Sequence, residues 1–258
     1  MSFAVAADAY DRHIGRYGPD LARGLVSAAG VGRGRRALDV GSGPGALTRV
    51  LVERLGPDNV SAVDPSEPFV QAVHERLPGV DARVGSAEAL PFADDEFDAA
   101  LAQLVVNFMA EPETGVGEMR RVVRPGGAVA ACVWDYPGEM TLLRAFWEAA
   151  AGLEPDRVEA LDERKTMPFD EEGELVDLWR RAGLRDVEGG EIVAFAEYES
   201  FEDLWAPLES GVAPSGAYVV SLAADGRAAL REELRRRLGS PEGSFTLGAR
   251  AWYAVGRA

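Results

Sequence analysis

Ala37-Leu-Asp-Val-Gly-Ser-Gly-Pro-Gly45 constrains the fold of this chain more than any other stretch, because a short aliphatic run breaks there into three glycines spaced two apart. Residues 36–40 have the weighting of a buried parallel strand. The helix that follows places Leu47, Val50, Leu51 and Leu55 on one face. Between strand and helix, Gly41, Gly43 and Gly45 allow positive φ and bring no Cβ atoms, so a ligand can approach the backbone and the helix can pack near the strand. A plain tight turn is the alternative at this point, since one glycine-rich turn specifies little. The helix stops at Gly56-Pro57, and a second short strand, residues 60–64, ends in Asp64, 19 residues beyond Gly45. An α/β nucleotide-binding fold puts an acid at that place to accept hydrogen bonds from ribose hydroxyls.

Strand and helix go on alternating. Residues 65–77 read as a helix with Phe69, Val70, Val73 and Leu77 inward and Ser66 as N-cap, and residues 80–84 as the third strand. Phe97 to Gln103 is the fourth strand and residues 111–123 the next helix. Arg124-Pro-Gly-Gly127 fits a type II turn ahead of a fifth strand at 128–134. Five such alternations demand right-handed crossovers and a parallel sheet, with the strand ends Asp64 and Gln103 at one crevice.

At this point three pieces stand in order: Leu38-Asp-Val-Gly-Ser-Gly-Pro-Gly45, Val63-Asp64-Pro65-Ser66, and Ser86-Ala-Glu-Ala-Leu-Pro-Phe92. Together they resemble the class I S-adenosylmethionine-dependent methyltransferases, in particular the small-molecule (type 11-like) group. The resemblance spans about residues 35–135. It implies a doubly wound, seven-stranded, mostly parallel Rossmann-like sheet with an antiparallel last strand and helical lid insertions. It also implies S-adenosyl-L-methionine as cofactor, with S-adenosyl-L-homocysteine as product. The residues it points to for the cofactor are Asp39, Gly41, Ser42, Gly43, Gly45, Asp64, Pro65, Ser66, Ser86, Ala87, Glu88, Gln103 and Leu104. From the N-terminal segment, the resemblance adds Tyr10 and Arg16 over the methionine end. Where the group commonly has an adenine-binding aspartate this chain has Ser86, an uncharged acceptor; the Ala87 backbone contact is unaffected. Glu88 is expected to support a short helix start.

Three regions follow: a helical cap at 1–34, a cofactor-binding α/β core at 35–135, and residues 136–258 as the other half of the same domain. Insertions at 136–190 and 199–243 read as a lid or substrate wall, and the last strand as 245–255. Within the cap, Gly15, Gly18 and Pro19 interrupt the helical pattern and predict two short helices. Residues 152–170 read as irregular, 191–198 as strand six and the Gly/Pro/Ser-rich residues 209–217 as a connection.

Methyl transfer is an in-line displacement, achieved mainly by positioning and exclusion of water, and needs a base only when the acceptor must lose a proton. His13 is the first candidate base, with Tyr136 and Asp135 behind it, whereas His74 sits among solvated residues. No cluster suggests a metal. A nicotinamide-dependent oxidoreductase and a non-catalytic S-adenosylmethionine-binding protein are the alternatives. Against the first, the third glycine comes one residue too early for G-x-G-x-x-G.

The formal charge of −16, from 43 acidic against 27 basic residues, opposes a nucleic-acid partner. No stretch reaches the length of a membrane span. The start, Met1–Asp8, lacks a basic region followed by an apolar run, and the single Cys132 precludes an internal disulfide. The expectation is a cytoplasmic monomer or homodimer acting on a small, partly apolar acceptor.

Overall fold

The computed structural model describes residues 7–169, 171, 173–211 and 213–258. The start of the cap and most of the stretch read for a leader, residues 1–6, lie outside the described residues, as do Asp170, Glu172 and Val212. The chain opens with α1 (Ala7–Arg12), a 3₁₀ turn (Ile14–Tyr17) and α2 (Gly18–Ala28), which begins where Pro19 fits a first helical turn. Then come β1 (Ala37–Val40), α3 (Ala46–Leu55), β2 (Val60–Asp64), α4 (Glu67–Arg76), β3 (Asp81–Val84), β4 (Phe97–Gln103), α5 (Pro112–Val122) and β5 (Val123–Trp134). The second half supplies α6 (Thr141–Leu153), α7 (Pro155–Val158), α8 (Glu163–Thr166), α9 (Glu174–Arg181), β6 (Arg185–Tyr198), α10 (Phe201–Glu209), α11 (Ala213–Ser221), α12 (Ala224–Arg237) and β7 (Phe245–Arg257).

One seven-stranded sheet runs β3-β2-β1-β4-β5-β7-β6. The first five strands are parallel to one another, and β7 is antiparallel to both β5 and β6. Strand order reverses beside β1, so the ends of β1 and β4 flank a topological switch point, where such sheets bind ligands. Two apolar cores cover the sheet. One joins Leu21 and Leu25 of α2, Leu47 and Leu51 of α3 and Val73 of α4 to the helical insertions. The other joins Val116 and Met119 of α5 to Leu175 and Trp179 of α9. β1 and β2 are buried along their whole length, which is why they read as continuous aliphatic runs rather than alternating ones.

Several boundaries differ from the sequence expectation. β5 starts at Val123, and the Arg124–Gly127 segment bulges out of register while Gly126 takes the positive φ of 81° that a type II turn needs. β6 begins six residues earlier than expected, at Arg185 rather than 191. Residues 213–221 are helical as α11, not a connection, and the irregular stretch at 152–170 contains α7 and α8.

Candidate active site

The glycine turn is fixed by its backbone. Gly41 N and Ser42 N both donate to Val63 O, at 2.7 and 3.0 Å, and Gly45 N donates to Ser42 O at 3.0 Å. Gly41, Gly43 and Gly45 all have positive φ, at 71°, 52° and 98°. A Cβ on Gly41 would lie 2.4 Å from a Val105 methyl, whereas one on Gly43 would meet only open space. The first glycine therefore serves close packing and the second leaves a cradle free. Asp64, at the end of β2, holds that cradle: its Oδ2 accepts from Gly43 N and its Oδ1 from Ser66 N, each at 2.8 Å. Burial pushes the Asp64 carboxyl above its ordinary value, and the two backbone donors pull it back.

These elements open onto one cleft of about 360 Å³. Gly41, Gly43, Asp64 and Pro65 line it from β1 and β2, Ser86, Ala87 and Glu88 from the loop after β3, and Gln103 and Leu104 from the end of β4. Tyr10 reaches it from α1. Arg76 secures that helix by donating to Asp8, Asp11 and Pro44 O, at 2.6, 2.8 and 3.3 Å, so the cap is tied to the glycine turn. The Tyr10 phenol is pushed up to about 12 by burial, with the Asp11 and Asp64 carboxylates adding to the effect.

The loop after β3 is braced from across the cleft. Ser86 Oγ donates to Glu88 Oε2, and Glu88 Oε1 accepts from Ala110 N at 3.0 Å. Glu88 thus braces the approach to α5, a helix remote from it in sequence, and not a local helix start as expected. The Ser86 hydroxyl also accepts from Glu88 N at 3.3 Å, so it is held within its own loop. Gln103 Nε2 donates to Gly18 O at 3.3 Å, which fixes the amide orientation, and its Oε1 is buried with no partner. Leu104 sits at φ +61°, a left-handed conformation that a leucine adopts only when its surroundings impose it, and it lines the cleft.

The remaining expected residues lie elsewhere. Asp39, Ser42, Gly45 and Ser66 are not on the cleft wall; they build the turn and its supports. Asp39 Oδ2 accepts from Thr48 Oγ1 at 2.6 Å beneath the turn. Ser66 occupies the N-cap position of α4, but its side chain makes no capping bond; its backbone N–H serves Asp64 instead. Arg16 is not brought to the cleft. Its guanidinium donates to Asp203 Oδ1 at 2.5 Å, Arg12 O at 2.7 Å and Glu197 O at 2.9 Å, and lies over the Tyr198 ring, tying the cap to β6 and α10. His13 is not brought there either. It is 1% exposed, with Nε2 3.2 Å from Ser215 Oγ of α11, and burial beside Arg16 pushes it down to about 4. The Tyr136 hydroxyl accepts from Asn107 Nδ2 at 3.2 Å in the interior, and Asp135 receives Arg250 and the N–H groups of Gly138 and Glu139.

The cleft also contains Phe69, Gly85, Val105, Phe108, Met109 and Ala110. Val105 and Phe108 belong to the stretch that follows Leu104 after β4. Phe69 was assigned to the core face of its helix; it is buried and packs 6.0 Å from the Tyr10 ring, so it serves core and cleft together. Met109 and Ala110 carry no sequence signal beyond following that strand end.

Comparison with known proteins agrees with this geometry. Residues 38–131 match the family model described as a methyltransferase domain. Over 135 residues the chain is 38% identical to an uncharacterized methyltransferase of Mycobacterium tuberculosis, covering 52% of each protein. A malonyl-(acyl-carrier protein) O-methyltransferase of Pseudescherichia vulneris is 33% identical over 150 residues, 57% of each. The chain spans about half the length of these curated relatives. Among solved structures, the YcgJ protein of Bacillus subtilis superposes with a TM-score of 0.57 at 16% identity, over 93% of this chain and 98% of that one. The cyclase SpnF gives 0.57 at 20% identity, over 92% and 80%. These two likenesses show the fold alone. Residues 38–131 thus match a methyltransferase domain model, and the seven-stranded sheet around them is Rossmann-like, as in these solved structures. That a cyclase shares the fold means the chemistry has to be argued from the site.

Proposed function

We propose that this protein is an S-adenosylmethionine-dependent methyltransferase that moves a methyl group by in-line displacement to an oxygen, nitrogen or carbon nucleophile of a small, partly apolar molecule. The observation that carries the proposal is the convergence of the glycine turn, Asp64, Ser86-Ala87 and Gln103-Leu104 on one cleft at the carboxyl ends of the strands. The residues fit the cofactor in two further respects. The free space above Gly43 leaves a backbone cradle that a Cβ would enter, and the buried, unpartnered Gln103 Oε1 is an acceptor suited to an ammonium group.

When bound, S-adenosylmethionine supplies a methyl group on a positively charged sulfur. In our assignment Asp64, which has lone pairs left after Gly43 N and Ser66 N, takes the ribose hydroxyls. Ala87 N and Ser86 Oγ face the purine, Pro65 and Leu104 supply apolar walls, and Tyr10 closes the mouth. Gln103 and the Gly41–Gly43 backbone hold the amino-acid end. Asp39, Ser42, Gly45, Ser66 and Glu88 position these contacts. Leu104, Val105, Phe108 and Met109 exclude water beside the reacting group and favour an apolar acceptor. Neither His13 nor Tyr136 is assigned proton transfer, because each is spent on an interior contact away from the cleft. Catalysis in this assignment is positional.

We place the protein in the cytoplasm without a nucleic-acid partner. Its net charge of −16 supports the second point, and among the described residues no helix is long and apolar enough to cross a membrane. Calorimetry with S-adenosylmethionine, followed by an assay for S-adenosylhomocysteine against a panel of phenols, amines and enols, tests the proposal. Gly43→Val, which puts a branched side chain into the cradle and a β-branched residue at positive φ, is expected to weaken cofactor binding at least about 100-fold. Unchanged affinity in that variant would remove the glycine turn from the site.

A further inference from the structure

The loop after β3 places a carboxylate on the cleft wall, since Glu88 lines the cleft beside Ser86 and Ala87. Both of its oxygens are engaged: Oε1 accepts from Ala110 N at 3.0 Å, and Oε2 accepts from the Ser86 hydroxyl. Burial raises the Glu88 carboxyl, but the Ser86 hydroxyl and backbone N–H groups, that of Ala110 among them, outweigh it and hold the group below its ordinary value. A carboxylate accepts and cannot donate, so the proton between the two side chains belongs to Ser86. The loop has little room to re-aim. Ala89 N donates to Ser86 O at 3.2 Å, and α5 clamps Leu90, whose N–H donates to Glu118 Oε2 at 2.9 Å and whose carbonyl accepts from Arg121 Nη2 at 3.2 Å.

A hydroxyl has one proton and two lone pairs. At Ser86 the proton goes to Glu88 Oε2 and one lone pair takes Glu88 N at 3.3 Å, which leaves a single lone pair for anything else that approaches. Ser86 is exposed and on the cleft wall, so a ligand meets this hydroxyl as an acceptor and not as a donor. Resting on the cofactor site proposed above, we infer that Glu88 is a positioning residue that fixes the Ser86 hydroxyl as an acceptor and thereby makes the cleft select a purine carrying an amino donor at C6. A neutral isostere reverses this polarity. In Glu88→Gln, Ala110 N keeps the amide oxygen on its side, so the amide nitrogen turns to Ser86 and donates to it. With Glu88 N on one lone pair of the hydroxyl and the new amide on the other, its proton is left to face the ligand. The brace to Ala110 survives, and only the hydrogen-bonding sense of Ser86 changes.

The test is calorimetric titration of the full chain at neutral pH with S-adenosylhomocysteine and, separately, with its analogue that carries hydrogen in place of the C6 amino group and keeps every ring nitrogen. The wild type is expected to bind S-adenosylhomocysteine at least about tenfold more tightly than the analogue. In Glu88→Gln that ratio is expected to fall to about twofold or less, with most of the loss on the amino-bearing ligand. A residue that only braced the loop would weaken both ligands alike, so a ratio unmoved in Glu88→Gln overturns the inference. If Glu88→Gln does not fold, Ser86→Ala replaces it; removal of the acceptor should bring the ratio equally low, and an unmoved ratio overturns the inference. A wild type that binds both ligands equally well overturns this inference alone. Failure of the wild type to bind S-adenosylhomocysteine overturns the proposed function itself, and this inference with it.

Discussion

Asp39 and His13 show how one buried side chain each gives this protein opposite responses to pH. A carboxyl with a folded value near 7 keeps a proton that the unfolded chain has already released above about pH 4. The folded state therefore binds more protons across that window, and stability falls as pH rises through it. Asp39→Asn removes that contribution, so urea titrations should find the variant gaining on the wild type from pH 5 to pH 8, by about 1–4 kcal/mol. A gap that stays constant or narrows would contradict the burial argument. For His13 the sign reverses. Its folded value near 4 lies below the ordinary value of 6.5, so the unfolded chain binds the extra proton and stability is lost as pH falls between those values. His13→Ala should flatten that acid limb and leave cofactor affinity unchanged, because the ring packs against Ser215 and not against the cleft. A large loss of affinity would return His13 to the site. Nothing in the sequence separates these roles, since an isolated histidine in a polar segment looks the same whether it faces a ligand or a helix.

At the scale of elements, α9 illustrates packing that sequence periodicity made legible. Leu175, Leu178 and Trp179, at helical spacing, are all buried on one face of it, and the Trp179 indole N–H donates to Val129 O of β5 at 2.8 Å. Trp179→Ala is expected to cost about 3–5 kcal/mol, and Trp179→Phe about 1–3, the latter from the orphaned carbonyl. Equal losses in the two variants, measured by denaturant unfolding, would show that the hydrogen bond contributes little. β1 and β2 were readable because fully buried parallel strands appear as aliphatic runs, ended here by Gly41 and Asp64. α11 was not readable, because Pro214 and Gly216 read as turn formers. Pro214 falls in the first helical turn, where its missing N–H costs nothing. A Cβ at Gly216 would lie 2.8 Å from the Gly211 backbone, so this glycine serves the close approach of α11 to the end of α10. The first half of β6 escaped notice similarly. Gly189 and Gly190 look like breakers, yet a Cβ on them would strike Val176 and the Tyr253 ring, so they mark tight packing within a strand. Arg16 was misplaced toward the cofactor because its partner Asp203 lies 187 residues away, beyond any local pattern.

Across the whole molecule, the parallel topology gathers sequence-distant residues at one rim, and most of the cofactor assignment follows from that. Residues at the carboxyl ends of β1, β2 and β4 meet in the cleft because strand order reverses there, so their positions could be anticipated from motif order alone. The acceptor side could not, because it depends on how long-range contacts settle the segment after β4. The net charge of −16 also acts at this scale. Self-repulsion destabilises the folded chain, so Tm should rise as ionic strength goes from a few millimolar to about 150 mM, and no salt-dependent binding to duplex DNA should be seen. A crystal structure with S-adenosylhomocysteine is the most direct test of the central claim. It is predicted to place the ribose on Asp64, the purine beside Ala87 N and the amino-acid end against Gln103 and Gly41–Gly43. Ligand density at any other site, or none in this cleft at saturating concentration, would contradict the account.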